Sequence, residues 1–369
     1  MSPPATTSFD HFAPTSPSVA HDFVPVGHGI DPLRPRTWRE AADEATDAPF
    51  ATRAEGAGNR AIPEEPDRFR TCFERDLDRI QHSRPFRRLA GKCQVFIAPD
   101  DGHLRTRLTH AIEVCQVAVS IARPVGLNVA LTAAAATGHD CGHGPAGHAS
   151  EGALSPFVEG GYHHAVFGAD VILTPLNLCA ETLDAVRNHS WNRPTPATPE
   201  GEVVAWADRI AYVCHDFEDA VRAGILSPGD LPEAVAAVVG RSRSGQIGAF
   251  VDAVLAAIDC TNTIGMTESA ASALADFRAF NFDRIYLRPA ARRQAEKVIG
   301  LLRGLVDFFL DAPRRLPADA AGLHPDVEPG SLAAAALAVR YVSGMTDRYA
   351  LGLGVELLGW RPEELPRGV

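Results

Sequence analysis

Between residues 129 and 151 the chain passes from an unbroken apolar run into a knot of ionisable side chains. No other stretch limits the possible folds so strongly. Val129 to Thr137 reads VALTAAAAT, alanine-rich and uncharged, which predicts a buried helix. Gly142, Gly144, Pro145 and Gly147 then end it, because glycine and proline punctuate regular structure. Gly138 to Glu151 holds three histidines, an aspartate and a glutamate in fourteen residues. His139 and Asp140 fall at the end of the buried run, where an unpaired carboxylate is costly. Such a pair asks for a metal ion or a strong hydrogen-bond partner, and for further ligands elsewhere in the chain.

The remaining pattern is helical. A helix starting at Thr106 or Thr109 runs to Ala122 and stops before Pro124. Others are expected from His164 through Ile172, over Glu181 to His189, and over Gly201 to Gly224. A long amphipathic one should cover Ala290 to Leu310, and a last helical stretch Ser331 to Leu353. No strand alternation of any length and no internal repeat is present, so the expected fold is all-α. Residues 1 to about 35, rich in Pro, Ser, Thr and His, read as a disordered tail. The rest, 36–369, reads as a single domain with a core over about 68–225 and a helical C-terminal part over 226–369.

Composition excludes several functions. Net charge is −11, which argues against broad nucleic-acid binding. No apolar run is long enough to span a membrane, and the N-terminus lacks the features of a signal peptide. The seven cysteines have no CxxC spacing and sit in helical patterns, so they read as reduced core thiols of a cytoplasmic protein.

Charge nevertheless inverts locally. Nine arginines and Lys92 fall between Arg68 and Arg107, interleaved with Phe73, Leu77, Ile80, Phe86 and Leu89 at helical spacing. That segment is either a solvated basic face or a phosphate clamp. On the Gly201–Gly224 helix, Asp208, Tyr212, His215, Asp216 and Asp219 share one stripe. The stripe reads as cation-facing rather than merely wet.

His110, His139, Asp140 and Asp208 together make two imidazoles and two carboxylates. That set suits a divalent metal ion, Mn²⁺ or Mg²⁺ first, with Fe²⁺, Co²⁺ or Zn²⁺ also fitting. His148 and Glu151 lie three residues apart, so the carboxylate can hold the imidazole in one tautomer.

The order H…HD…D, with Arg107-Leu108-Thr109-His110, the run from Gly138 to Glu151 and Asp208 to Asp219, resembles the HD-domain superfamily of metal phosphohydrolases. Arg75 to Ser83, Phe86 to Phe96 and Met345-Thr346-Asp347-Arg348-Tyr349 more closely resemble the deoxyguanosine triphosphate triphosphohydrolase family. The similarity runs from about residue 36 to about 350. It implies an HD-domain helical bundle with a helical C-terminal extension. It also implies metal-dependent hydrolysis of a deoxynucleoside triphosphate (dNTP), dGTP or another, to the deoxynucleoside and inorganic triphosphate.

By the same resemblance, His110, His139, Asp140 and Asp208 bind the metal, and His148 and Glu151 form the catalytic pair. His143 and His164 line the phosphate side, and Arg107 and Arg209 hold phosphates. Gln94, Tyr212 and Asp216 surround the deoxyribose. An activating dNTP at a second site and a homo-oligomer (tetramer or hexamer) are further expectations of this kind. Three positions depart from the family pattern. Ala146 replaces a bulky aromatic, Ala165-Val166-Phe167 follow His164 where Asn-x-Gln is usual, and Leu77 interrupts a charged run. The alternatives are another HD phosphohydrolase, acting on monophosphates or phosphodiesters, and a nucleotide-sensing module with a degenerate site. The complete ligand set together with His148 and Glu151 disfavours the second.

Overall fold

The computed structural model describes residues 33–97, 99, 101–317 and 327–367. The tail expected over 1–35 lies outside them except for its last three residues. Among the described residues there are fifteen α-helices and no strand. Two isolated bridges, Arg60 with Cys179 and Cys93 with Thr106, are the only extended pairings among them.

Helix α1 is Arg36–Thr46, α2 Cys72–Gln81 and α3 Arg84–Arg88. Then come α4 Arg107–Ala122, α5 Val129–Gly138, α6 His148–Leu154, α7 His164–Phe167, α8 Ala180–Asn188 and α9 Pro199–Arg222. The remainder are α10 Glu233–Val239, α11 Arg243–Thr261, α12 Glu268–Asn281, α13 Pro289–Asp311, α14 Leu332–Ser343 and α15 Asp347–Leu358.

Caps explain several boundaries. Thr106 accepts from the Thr109 N–H and Thr109 returns a bond to the Thr106 N–H, so α4 begins one residue later. Thr198 caps α9, with Pro199 in its first turn. The single stretch expected over Ser331 to Leu353 is two helices. Thr346 accepts from the Tyr349 N–H and starts α15 afresh after the turn at Gly344 and Met345.

Among the described residues four apolar clusters hold the bundle together, three of them large. Val114 of α4, Ile210 and Phe217 of α9, Phe250 of α11 and Phe277 of α12 share the largest. Leu154 of α6 joins Leu301 and Leu305 of α13, Val342 of α14 and Ala350 of α15 in a second. Ile80, Leu89, Ala134, Leu173 and Val186 form a third, against which Leu77 packs. The C-terminal helices therefore pack directly on the short helix that begins with His148. No described helix is long and apolar enough to cross a membrane, and all seven cysteines are free.

Candidate active site

The ends of two buried helices converge on the middle of a third. The first turn of α4 carries His110, the C-cap of α5 and the turn after it carry His139 and Asp140, and the middle of α9 carries Asp208. His110 Nε2 is 3.1 Å from Asp208 Oδ1. His139 Nε2 lies 3.5 Å from Asp140 Oδ1 and 3.7 Å from Asp208 Oδ1. His139 Nδ1 donates to the Ala136 carbonyl at 2.7 Å, so its Nε2 keeps a lone pair. That atom is buried without a hydrogen-bond partner. A buried lone pair facing two carboxylate oxygens fits a divalent cation. The donor atoms of His110, His139 and Asp208 lie within 4.8 Å of one another, as do those of His139, Asp140 and His189.

Asp140 bridges this group to its surroundings. Its Oδ2 accepts from Arg107 Nη1 at 2.7 Å, with both side chains buried, and its Oδ1 is 3.2 Å from His143 Nε2. Burial alone would raise the Asp140 carboxyl. Arg107 and the neighbouring imidazoles outweigh it and hold the group well below the usual range.

His143 leads on to a second group. Its ring stacks on His164 with centroids 3.7 Å apart. Glu151 Oε1 accepts from the His164 N–H at 3.0 Å and lies 2.7 Å from His164 Nδ1. Its Oε2 lies 3.2 Å from Nδ1 of His148, whose side chain is 74% exposed. Burial opposes ionisation of Glu151, but bonds from His148 and His164 keep it a carboxylate. Beyond His164, Nε2 of His189 approaches to 3.2 Å.

A cavity of about 530 Å³ joins these groups to the rest. Of the thirteen expected site residues all but His139 line it, and His139 lies fully buried behind the wall. At the far end Tyr286 donates to Asp216 Oδ2 and Arg278 Nε donates to the Tyr212 hydroxyl at 2.8 Å. Burial raises Asp216 to about 7. Gln94 Oε1 and Asp216 Oδ1 are buried without partners, so each is an unused acceptor. The Arg209 guanidinium lies 3.4 Å over the Trp191 ring.

One sequence alternative is decided and one expectation corrected. Apart from Arg107 the basic stretch is no clamp: Arg68, Arg70, Arg84, Arg87 and Arg88 are exposed, and others are held in ion pairs. Arg75 and Arg79 pair with Glu64, Arg70 with Asp67 and Asp78, and Arg105 with Glu113, Glu218 and Asp219. Of the basic residues from Arg68 to Arg107, Arg107 alone lines the cavity. Nor does the whole α9 stripe face a cation. Asp208 joins His110 and His139, Tyr212 and Asp216 line the cavity further along, and Asp219 is spent on Arg105. His215 lies 3.3 Å from Glu113.

His189, Trp191, Arg278 and Tyr286 went unrecognised in the sequence. His189 closes its helix as His139 does, donating Nδ1–H to a carbonyl three residues back, here that of Val186. Tyr286 sits in a widened helical turn, Phe282–Tyr286, a distortion common at functional sites.

The HD domain family matches residues 107–213, the span that carries the four expected ligands. The phosphohydrolase-associated domain family matches residues 264–354, from the loop before α12 into α15. Site and matches together define a helical HD-domain phosphohydrolase. A deoxyguanosinetriphosphate triphosphohydrolase-like protein of Caldanaerobacter subterraneus subsp. tengcongensis is 38% identical, over 82% of this chain and 90% of its own length. A protein of the same description from Clostridium tetani is 35% identical, over 87% and 95%. The chain belongs to the family of deoxyguanosinetriphosphate triphosphohydrolase-like proteins. Among solved structures, a hypothetical protein from Aquifex aeolicus gives a TM-score of 0.49 at 17% identity, covering 78% of this chain and 69% of its own.

Proposed function

We propose that the protein hydrolyses a deoxynucleoside triphosphate to the deoxynucleoside and inorganic triphosphate, with Mn²⁺ or Mg²⁺ held by His110, His139, Asp140 and Asp208. The observation that carries this reading is the continuity of one cavity. It runs from the His/Asp group past His148 and Glu151 to the unpartnered acceptors of Gln94 and Asp216. Such a span matches a ligand with phosphates at one end and a sugar hydroxyl at the other. When bound, a divalent cation supplies positive charge to a phosphoryl oxygen and acidifies water.

In the reaction, water adds to the α-phosphorus, the bond to O5′ breaks and a proton reaches O5′. Glu151 holds Nδ1 of His148, which leaves Nε2 of this exposed imidazole free to carry that proton. His143 and His164, stacked beside it, complete the wall along the phosphates. Arg209, resting on Trp191, and the unpartnered Nε of Arg107 give donors to the phosphates. Tyr212 and Asp216 bound the deoxyribose, and a packed phenol under the sugar excludes a 2′-hydroxyl.

The test is to incubate the protein with each dNTP, each ribonucleotide and deoxynucleoside monophosphates, with Mn²⁺ or Mg²⁺, and to separate the products. Deoxynucleoside and intact triphosphate are expected. Release of orthophosphate or pyrophosphate, or turnover of monophosphates alone, would overturn the proposal.

A further inference from the structure

The turn between α14 and α15 lies far from the His/Asp group in sequence, yet it grips two segments that line the cavity. Asp347 is the first residue of α15 and is 8% exposed. Its carboxylate bonds outside its own helix. Oδ2 accepts the Cys93 N–H at 2.9 Å and Oδ1 accepts the Ala146 N–H at 2.8 Å. Cys93 immediately precedes Gln94, and Ala146 lies two residues before His148.

The Ala146 loop needs such a hold. Ala146 has φ +58° and Gly147 φ +59°, and a side chain in the left-handed region costs about 1–2 kcal/mol. A Cβ on Gly147 would stand 2.4 Å from Arg107 Nη2, so the loop presses on the guanidinium that pairs with Asp140. Lys92 adds a parallel tie. Its buried Nζ donates to the carbonyls of His143 and Ser343, the latter at 2.9 Å. The turn thus closes a three-way junction with residues 91–93 and 143–146, behind His143 and His148.

We propose that Asp347 is a positioning residue for the reaction, a two-pronged acceptor that sets the loop carrying His148 and the segment carrying Gln94 at fixed places along one cavity. This rests on the functional reading above. It assigns the C-terminal helices a part in the chemistry as well as in packing. The metal group is held by α4, α5 and α9, so it stays intact without Asp347.

Asp347→Asn replaces one acceptor oxygen with a donor that opposes a backbone N–H, and Asp347→Ala removes both acceptors. Leu351→Ala, on the same helix and packed in the same C-terminal cluster, is the control for lost stability. In both Asp347 variants, exchange of the amides of Gly144, Ala146, Gly147 and His148 should speed at least about tenfold while those of α9 do not change. Metal content should stay at the wild-type level. The kcat for dNTP hydrolysis should fall about ten- to a hundredfold, as expected when a reacting group is misplaced. Leu351→Ala should lower Tm comparably and keep its kcat.

Unchanged exchange at these four amides overturns the proposal. So does wild-type kcat in a folded, metal-loaded Asp347→Asn protein, or an equal loss of kcat in Leu351→Ala. If the wild type turns over no dNTP, the functional reading fails by itself, and the exchange experiment alone decides whether Asp347 holds the loop.

Discussion

Glu151 and His164 are joined twice, by a 2.7 Å contact to the ring Nδ1 and a 3.0 Å bond from the backbone N–H, both to Oε1. The other oxygen of the same carboxylate reaches His148. One side chain therefore fixes an exposed imidazole and a buried one, and this double duty shapes the expected behaviour of its variants.

His148→Ala should lose turnover by about 10²–10⁴, the usual contribution of a positioned acid or base, while still binding metal and nucleotide. Glu151→Gln should lose about as much. An amide cannot accept from both imidazoles at once, so one ring must change tautomer or turn away. The double variant should lose little more than His148→Ala alone, because the pair acts as a unit. Steady-state kinetics with metal analysis on each preparation checks this. Near-normal turnover in metal-loaded His148→Ala would remove the imidazole from the chemistry.

Stripping the metal with a chelator should lower Tm, since the lone pairs of His139 and the carboxylates of Asp140 and Asp208 then face one another without a cation. Restoring Mn²⁺ at a hundredfold excess over its Kd should return about 2.7 kcal/mol of stability. His139→Ala and Asp208→Ala should abolish both the gain and the turnover. Full occupancy by elemental analysis in Asp208→Ala would refute the ligand assignment.

Arg107 is expected to matter for folding as well as for phosphate. It is 2% exposed and is the direct counter-ion of buried Asp140. Removing one member of such a pair typically costs about 3–5 kcal/mol, so Arg107→Met should shift the denaturant midpoint strongly in metal-free protein. An unshifted midpoint with weakened dNTP binding would mean that the guanidinium serves the ligand alone.

Lys92 should give stability a distinctive pH dependence. Burial, working against the pull of Asp347, lowers its ammonium from 10.5 to about 7. Between about 7 and 10.5 the unfolded chain binds a proton that the folded one releases, so stability should rise with pH across that window. Below about 7 the cost of burying the charge is present in full. The stability of the wild type minus that of Lys92→Met, from urea unfolding at pH 7, 8 and 9, should therefore increase with pH. A pH-independent difference would show an ammonium charged throughout.

Trp191 should act through Arg209. A cation stacked on an aromatic face is worth about 0.5–2 kcal/mol, so Trp191→Ala should raise KM roughly two- to thirtyfold with kcat little changed. Trp191→Phe, which keeps a ring face, should recover part of the loss. A fall in kcat at constant KM would contradict this reading.

What the sequence by itself determined is local. Helical periodicity, the Thr106 cap and the glycines after Thr137 set α4, α5 and the loop that follows, because each depends on residues within a few positions. The i, i+3 spacing of His148 and Glu151 announced their contact for the same reason. That His110, His139, Asp140 and Asp208 gather at one place was legible because imidazoles and carboxylates on buried, otherwise apolar helices make poor packing groups. Charge pairing was not legible. Arg105 has Glu113 eight residues away but Glu218 and Asp219 more than a hundred away, so most of its partners could not be read from its surroundings in sequence. His189, Arg278, Tyr286 and Asp347 belong to the same category. Asp347 meets Cys93 across 254 residues, and no short-range pattern encodes that partner. A periodic pattern shows which face of a helix is buried, whereas the neighbour that face meets is chosen only when the whole bundle packs.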